Sequence, residues 1–307
     1  MITRRALIRQ GGRLLLAGVG LGAYSVAIEP NFLLSVARYD ISPADWPRRL
    51  RLRIAIISDL HACEPWMPAA RIARIAAATN ALAPDLIVLL GDFSGGVPLA
   101  GAVAPEEWGA ALARLRAPLG VFAILGNHDW WHGARPEDPS DDAAGVRRGL
   151  QRAGATLLEN DAALLFKGDA PFWLLGLGDQ MAYPLGKGRW GGHDDLTGTL
   201  AKIGDAKAPA ILLAHEPFVF ARVPKRVALT LSGHTHGGQI RLPFAGPIFA
   251  ELRYRSTHVY GHIFEDDRHL VISGGLGVSM LPMRFMRPPE IVELVVGARE
   301  GSALARS

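Results

Sequence analysis

Leu52-Arg53-Ile54-Ala55-Ile56-Ile57-Ser58-Asp59-Leu60-His61 sets the fold. The run is apolar, rich in isoleucine, and bounded by arginine and aspartate. It is short for a helix, and its β-branched residues favour extended chain, so it reads as a buried strand. It ends in Ser58, Asp59 and His61, polar residues that a core would not choose. The same form recurs along the chain. Leu86–Leu90 is a second buried strand and runs into Gly91-Asp92. Val121–Leu125 is a third and runs into Gly126-Asn127-His128-Asp129. Leu212-Leu213-Ala214 leads to His215, and a strand over 226–232 leads to Gly233-His234-Thr235-His236.

Helical patterns separate the first three strands. Ile72, Ile75, Thr79 and Leu82 share one face of residues 68–82. Pro105-Glu106-Glu107 opens a helix that reaches Arg116, and Ser140 caps another that runs to about Ala153. This alternation predicts a mostly parallel sheet. The second half changes character. Strands are predicted at 155–158, 162–167, 172–177, 209–214, 226–232, 237–241, 268–273 and 290–296, with one helix over 194–203. That half forms a second, more antiparallel sheet packed on the first. No linker divides the halves. The expected organisation is a segment over 1–28, one domain over 29–299 and a tail over 300–307, with long surface loops at 133–145 and 184–193.

In open α/β sheets, ligands bind beyond the carboxyl ends of strands. The strand ends here carry Asp59, His61, Asp92, Asn127, His215, His234 and His236 toward one rim. In Asp59-x-His61 and His234-x-His236, residues two apart on extended chain point the same way. Gly91, Gly126 and Gly233 are expected to permit tight turns there. Such a set is more than one ion needs, whereas two divalent ions sharing a carboxylate use it fully. Oxygen and imidazole donors without thiolate suit Mn²⁺, Fe, Zn²⁺ or Mg²⁺. A single cysteine, Cys63, excludes a disulfide framework and any multi-cysteine zinc or iron–sulfur site.

In this order, Asp59-x-His61, Gly91-Asp92, Gly126-Asn127-His128-Asp129, His215 and Gly233-His234-x-His236 resemble the motifs of the calcineurin-like metallophosphoesterase superfamily. His215-Glu216-Pro217, Gly237-Gly238-Gln239, Gly275-Leu276-Gly277 through Arg284, and Pro289-Glu290 are similar to its exported, YkuE-type branch. Phe218 departs from that branch, which often has aspartate after His-Glu-Pro. Ser94-Gly95-Gly96 stands where relatives often carry further acids.

The resemblance implies a four-layer α/β/β/α sandwich of two mixed sheets. It implies one metal held by Asp59, His61, Asp92 and His236 and a second held by Asp92, Asn127, His215 and His234, with Asp92 bridging. It places His128 by the leaving group and Asp129 as the group orienting its ring. The implied activity is hydrolysis of a phosphodiester or pyrophosphate bond by a hydroxide between two metals, and the apolar stretch 276–286 with the N-terminal segment adds the expectation of a lipid-linked substrate. Similar proteins are linked to UDP-2,3-diacylglucosamine diphosphatase activity in lipid A synthesis, which is one alternative. A metal-binding module without turnover is the other.

The formal net charge is +4, and four of the 33 basic residues (Arg4, Arg5, Arg9 and Arg13) lie in the first 13 positions. Residues 1–28 hold no acid, which leaves 29 basic against 29 acidic residues in the body. A balanced body lacks the basic excess of a nucleic-acid binder, and no nucleic acid is expected as a partner. Arg4-Arg5 followed by the apolar run Leu14–Ile28, with small residues Ser25 and Ala27, resembles a twin-arginine export signal. Gly18, Gly20 and Gly22 dilute that run, and its 15 residues fall short of the ~20 of a spanning helix. The expected location is exported, periplasmic or, if the segment is retained, membrane-tethered, with the twin-arginine machinery as a partner.

Trp130 and Arg284 are the candidate substrate contacts. Trp130 and Trp131 directly follow the Gly-Asn-His-Asp motif, and arginine matches phosphate geometry. The methionine-rich stretch 276–286 is either an adaptable apolar patch for an acyl chain or core packing under a loop. His132, His193, His258, His262 and His269 lie outside the motifs and read as surface or loop residues.

Overall fold

A computed structural model describes residues 3–98, 100–133, 143–204, 207–244, 246–247 and 258–297. Ser140, most of the 133–145 loop and the 300–307 tail lie outside the described residues. Twelve strands build the two large sheets, and the buried ones alternate their side chains between two cores. They are β1 (Ser35–Ile41), β2 (Leu52–Ile57), β3 (Leu86–Leu89), β4 (Val121–Ala123), β5 (Thr156–Leu157) and β6 (Asp161–Lys167). They continue as β7 (Ala170–Gly176), β8 (Ala210–Leu213), β9 (Val227–Ser232), β10 (Gly261–Glu265), β11 (Arg268–Ile272) and β12 (Glu290–Val296).

One sheet has the order β1-β12-β2-β3-β4-β5, the other β10-β11-β9-β8-β7-β6. In β2, Ile54 and Ile56 face the second sheet, while Ala55 and Ile57 face helices. Ile211 and Leu213 of β8 meet the first sheet, and Ala210 and Leu212 turn to the other side. A strand buried on both faces reads as a continuous apolar run, which is why these strands were legible. Helices Ala69–Ala81, Pro105–Leu112, Asn127–Gly133 and Ala144–Ala153 flank the first sheet, and Leu196–Ala201 flanks the second. The result is the expected α/β fold of two mixed sheets between helices.

The second sheet is antiparallel only at its edges, where β10 meets β11 and β6 meets β7, and its four central strands run parallel. Two edge strands, β1 and β10, escaped the sequence reading. Edge strands are only half buried, so β1 mixes Arg38 and Asp40 into its apolar pattern. The strand expected at 237–241 does not form. His236, Gly237, Gly238 and Gln239 all take left-handed backbone angles, and a 3₁₀ turn precedes the short strand Arg241–Leu242.

The N-terminal segment also differs from expectation. Helix Arg4–Ala23 continues through a π turn, Tyr24–Ile28, into the short helix Glu29–Phe32. Pro30 sits in the first turn of that last helix, where its missing N–H costs nothing, so it does not stop the helical path. The glycines thin the side chains without breaking the helix. The apolar stretch is therefore 25 residues, Ile8–Phe32, long enough to cross a bilayer.

Candidate metal centre

The strand ends of both sheets meet at one rim, and the backbone there is strained. Asp59, His61, Asp92, His234 and His236 all have φ between +44° and +67°. For non-glycine residues such angles cost of order 1–3 kcal/mol each and persist only where the surroundings enforce them. Enforcement is visible in the hydrogen bonds. The Asp59 N–H donates to the Gly91 carbonyl (3.1 Å), the His61 N–H to the Asp92 carbonyl (2.9 Å), and the His234 N–H to Asp59 Oδ1 (2.9 Å).

Gly91 has the left-handed φ expected of it, +89°. Gly126 and Gly233 do not, and they serve a different need. A Cβ on Gly126 would stand 2.5 Å from Asp92 Oδ1 and 2.7 Å from His215 Cε1. One on Gly233 would run into the Ser58 hydroxyl and stand 2.6 Å from Asp59 Oδ2. These two glycines make room for ligands rather than turns.

The side chains fall into two buried groups. The ligand atoms of Asp59, His61 and His236 all lie within 4.8 Å of one another, as do those of Asp92, His215 and His234. Asp92 stands between the groups, with Oδ2 at 3.4 Å from His61 Nε2 and 3.3 Å from His215 Nε2. Asn127 Oδ1 lies 2.8 Å from His234 Nδ1, beside the second group. Two divalent ions fit this donor set. His61 Nε2 and His236 Nε2 face each other at 3.0 Å, and burial pushes His61 down to about 3 and His236 well below its ordinary value. Both rings are therefore neutral, the form that ligates a metal. His215 Nδ1 donates to the Leu90 carbonyl at 2.6 Å, which fixes its tautomer and turns Nε2 toward Asp92.

Burial, opposed by His215 and reinforced by Asp92, pushes Asp59 up to about 6. Burial also works against Asp92, yet His215 and His128 outweigh it and hold that carboxyl well below the usual range. Two dry carboxylates this close call for a cation.

His128 reaches the centre, and Asp129 takes a different role from the expected one. The His128 ring meets His61 edge-on at 4.8 Å and lies 5.0 Å from the Trp131 ring, with Nε2 at 3.4 Å from Ser279 Oγ. Asp129 accepts instead from four main-chain amides, those of Asp92 (2.8 Å), Phe93 (2.8 Å), Ser94 (3.1 Å) and Gly126 (2.9 Å). Its carboxyl holds the loops that present Asp92 and Asn127, and those amides, rather than the His128 ring, occupy both its oxygens.

The two substrate candidates are also placed differently. Trp130 is buried against Tyr183 and His193. Its neighbour Trp131 faces His128 and stacks on Trp190 at 4.3 Å. Arg284 is fully buried. Its guanidinium donates to the carbonyls of Gly274, Gly277 and Arg287 and lies 3.3 Å from His236 Nδ1, so it braces a ligand from behind. Cys63 is buried in a short strand paired with Gly101–Ala102.

Two features had no sequence signal, and a third, Phe218, stood out only as a departure from the branch. Phe218 stands edge-on to His234 at 5.7 Å. Ser279 touches His128 from a loop 151 residues away. Behind His215, burial and the neighbouring Glu216 push Asp179 well above the usual carboxylate range.

The family model described as calcineurin-like phosphoesterase matches residues 52–238. An uncharacterized metallophosphoesterase of Bacillus subtilis, YkuE, is 32% identical over 284 residues, 90% of each chain. The UDP-2,3-diacylglucosamine pyrophosphatase LpxG of Chlamydia trachomatis is 29% identical over 309 residues, 86% of this chain and 89% of its own. Phosphodiesterase YaeI of Escherichia coli is 29% identical over 245 residues, 79% of this chain and 81% of its own.

Proposed function

This chain belongs to the calcineurin-like phosphoesterase family, and we propose that it hydrolyses a phosphodiester or pyrophosphate bond in a lipid-linked substrate. It is a metal-dependent phosphoric ester hydrolase. The observation that carries the reading is the pair of buried three-residue groups with Asp92 between them. Bound there by Asp59, His61, Asp92, Asn127, His215, His234 and His236, two divalent ions supply Lewis-acid charge for an anionic phosphate and for water. His128 lines the mouth of the site, where its imidazole meets the leaving oxygen and gives it a proton at Nε2. Asp129 keeps Asp92 in place through the amides it binds. Trp131 and Trp190 wall the side beside His128.

The LpxG relative supports a second reading, UDP-2,3-diacylglucosamine diphosphatase activity. Four arginines and no acid within residues 1–28, all four arginines at or before position 13, support an N-terminus on the cytoplasmic side and a domain exported by the twin-arginine route.

The test is a hydrolysis assay on the full chain in detergent with Mn²⁺. It compares an aryl phosphodiester, an aryl phosphomonoester and a UDP-linked lipid pyrophosphate. The diester or the pyrophosphate is expected to turn over fastest, and a clear preference for the monoester would refute the reading. Asp92→Ala is expected to lose both metals and nearly all turnover. His128→Ala is expected to keep metal and lose about 10²–10⁴-fold in rate. Metal lost from the His128 variant and kept in the Asp92 variant would reverse the roles.

A further inference from the structure

The N-terminal helix is built into the domain at its far end. Ser25 and Glu29 are 3% and 1% exposed. Glu29 Oε1 accepts from the Arg287 N–H (2.6 Å) and Oε2 from the Met286 N–H (3.0 Å). The Ser25 carbonyl accepts from the Arg284 N–H (2.9 Å), and the Val26 carbonyl from the Trp66 indole (3.2 Å). A carboxylate this deep is tolerated only with its oxygens satisfied. A segment discarded at maturation has no use for such a fit, and cleavage after Ala27 would cut through it.

The loop that Glu29 grips also closes the metal centre. The Gly277 N–H donates to the Asp59 carbonyl at 2.7 Å, and Ser279 touches His128. Between Leu276 and Met286 the one charged residue, Arg284, is turned inward. The outward side chains are apolar: Met280, Leu281 and Met286 are 45–54% exposed. Ile28 and Phe32 of the gripped segment are exposed as well.

Depth decides what covers this face. Arg13 is the last arginine of the leader. At ~1.5 Å per residue, the ~30 Å hydrocarbon core takes about 20 residues, and counting from Leu14 they end near Leu33. Tyr24–Phe32, the part held by the domain, is the last stretch of that path. A loop that grips a helix at bilayer depth must itself meet the bilayer.

We infer that Tyr24–Phe32 is a permanent part of the catalytic domain. We further infer that Met280, Leu281 and Met286, with Ile28 and Phe32, seat the mouth of the metal centre on a lipid bilayer. A phosphoester carried by a lipid then reaches His128 without leaving the membrane. This deepens the proposed function and rests on reading the N-terminal helix as a membrane segment.

The one native cysteine, Cys63, is buried, so an introduced surface cysteine is labelled alone. Full-length Leu281→Cys and Met286→Cys are labelled with bimane and reconstituted in phosphatidylcholine vesicles carrying nitroxide lipid. Asp169→Cys is the control. It lies in the exposed turn before β7, at the sheet end opposite the metal centre. Quenching at 281 and 286 is expected to exceed that at 169 several-fold, in chains whose intact mass retains residues 1–32. Equal quenching at all three positions in carbonate-resistant protein overturns the seating alone. A mature chain from cell membranes that begins at Ile28 overturns the permanence of the segment. Release of the full chain by alkaline carbonate overturns the membrane reading itself, and hydrolysis in detergent is unaffected by any of these results.

Discussion

Both oxygens of Asp129 are taken by main-chain amides, so its carboxyl ties the loop of Asp92 to the start of its own motif. Spacing and strand ends made Asp59, His61, Asp92, Asn127, His215, His234 and His236 legible, because polar residues after apolar runs have few other reasons to be there. Asp129 belongs to the same motif, but its partners are main-chain amides, three on the loop that carries Asp92 and one at Gly126, and no residue pattern encodes an amide. The distinction is measurable. Asp129→Ala leaves the amides of Asp92, Phe93, Ser94 and Gly126 without their acceptor. Each buried amide left unpaired costs about 1–3 kcal/mol. Metal content, melting temperature and rate are therefore expected to fall together. A residue that only oriented His128 would lower the rate and leave metal content and melting temperature at wild-type values. Mass spectrometry of the bound metal and a thermal scan separate the two.

At the scale of elements, strands buried on both faces were legible and edge strands were not. An edge strand such as β1 carries polar residues on its open side and loses the apolar run that marks a core strand. The hairpin Tyr183–Gly186 with Arg189–Gly191 was legible only as a loop, since its exposed strands bury little. Its position gives it a function. Trp190 stacks on Trp131 at 4.3 Å, and Trp131 lies 5.0 Å from His128, so the hairpin extends the wall of the centre outward. Trp190 touches none of the metal-ligand candidates, so its loss is expected to act on binding. An aromatic pair contributes about 0.5–1.5 kcal/mol beyond its buried area, so Trp190→Ala is expected to raise KM by up to roughly tenfold. Its kcat is expected to change less than about twofold. A fall in kcat at constant KM would instead place the hairpin's effect on His128 itself.

For the whole molecule, the metal centre is a joint between the two sheets. Asp59, Asp92 and Asn127 follow strands of the first sheet, while His215, His234 and His236 follow strands of the second. The apolar core between the sheets was legible as paired runs of buried strands. The joint was legible only as a ligand list, because sequence does not show which sheet each strand enters. Its energetic consequence follows from mass action. A ligand that binds only the folded state stabilises it by about 4 kcal/mol at 1,000 times its Kd. For a domain of 150–250 residues, each kcal/mol moves the melting temperature by about 2–4 °C, so chelation is expected to lower it by on the order of 10 °C. Without cations, the buried carboxylates of Asp59 and Asp92 repel each other, and the rim of the sandwich is expected to loosen first. Asp92→Ala is expected to respond differently. That variant lacks both the shared ligand and half of the repulsion, so a chelator is expected to leave its melting temperature unchanged. Calorimetry of both proteins with Mn²⁺ and with chelator checks this, and an equal fall in the two would mean that the metal stabilises some other part of the chain.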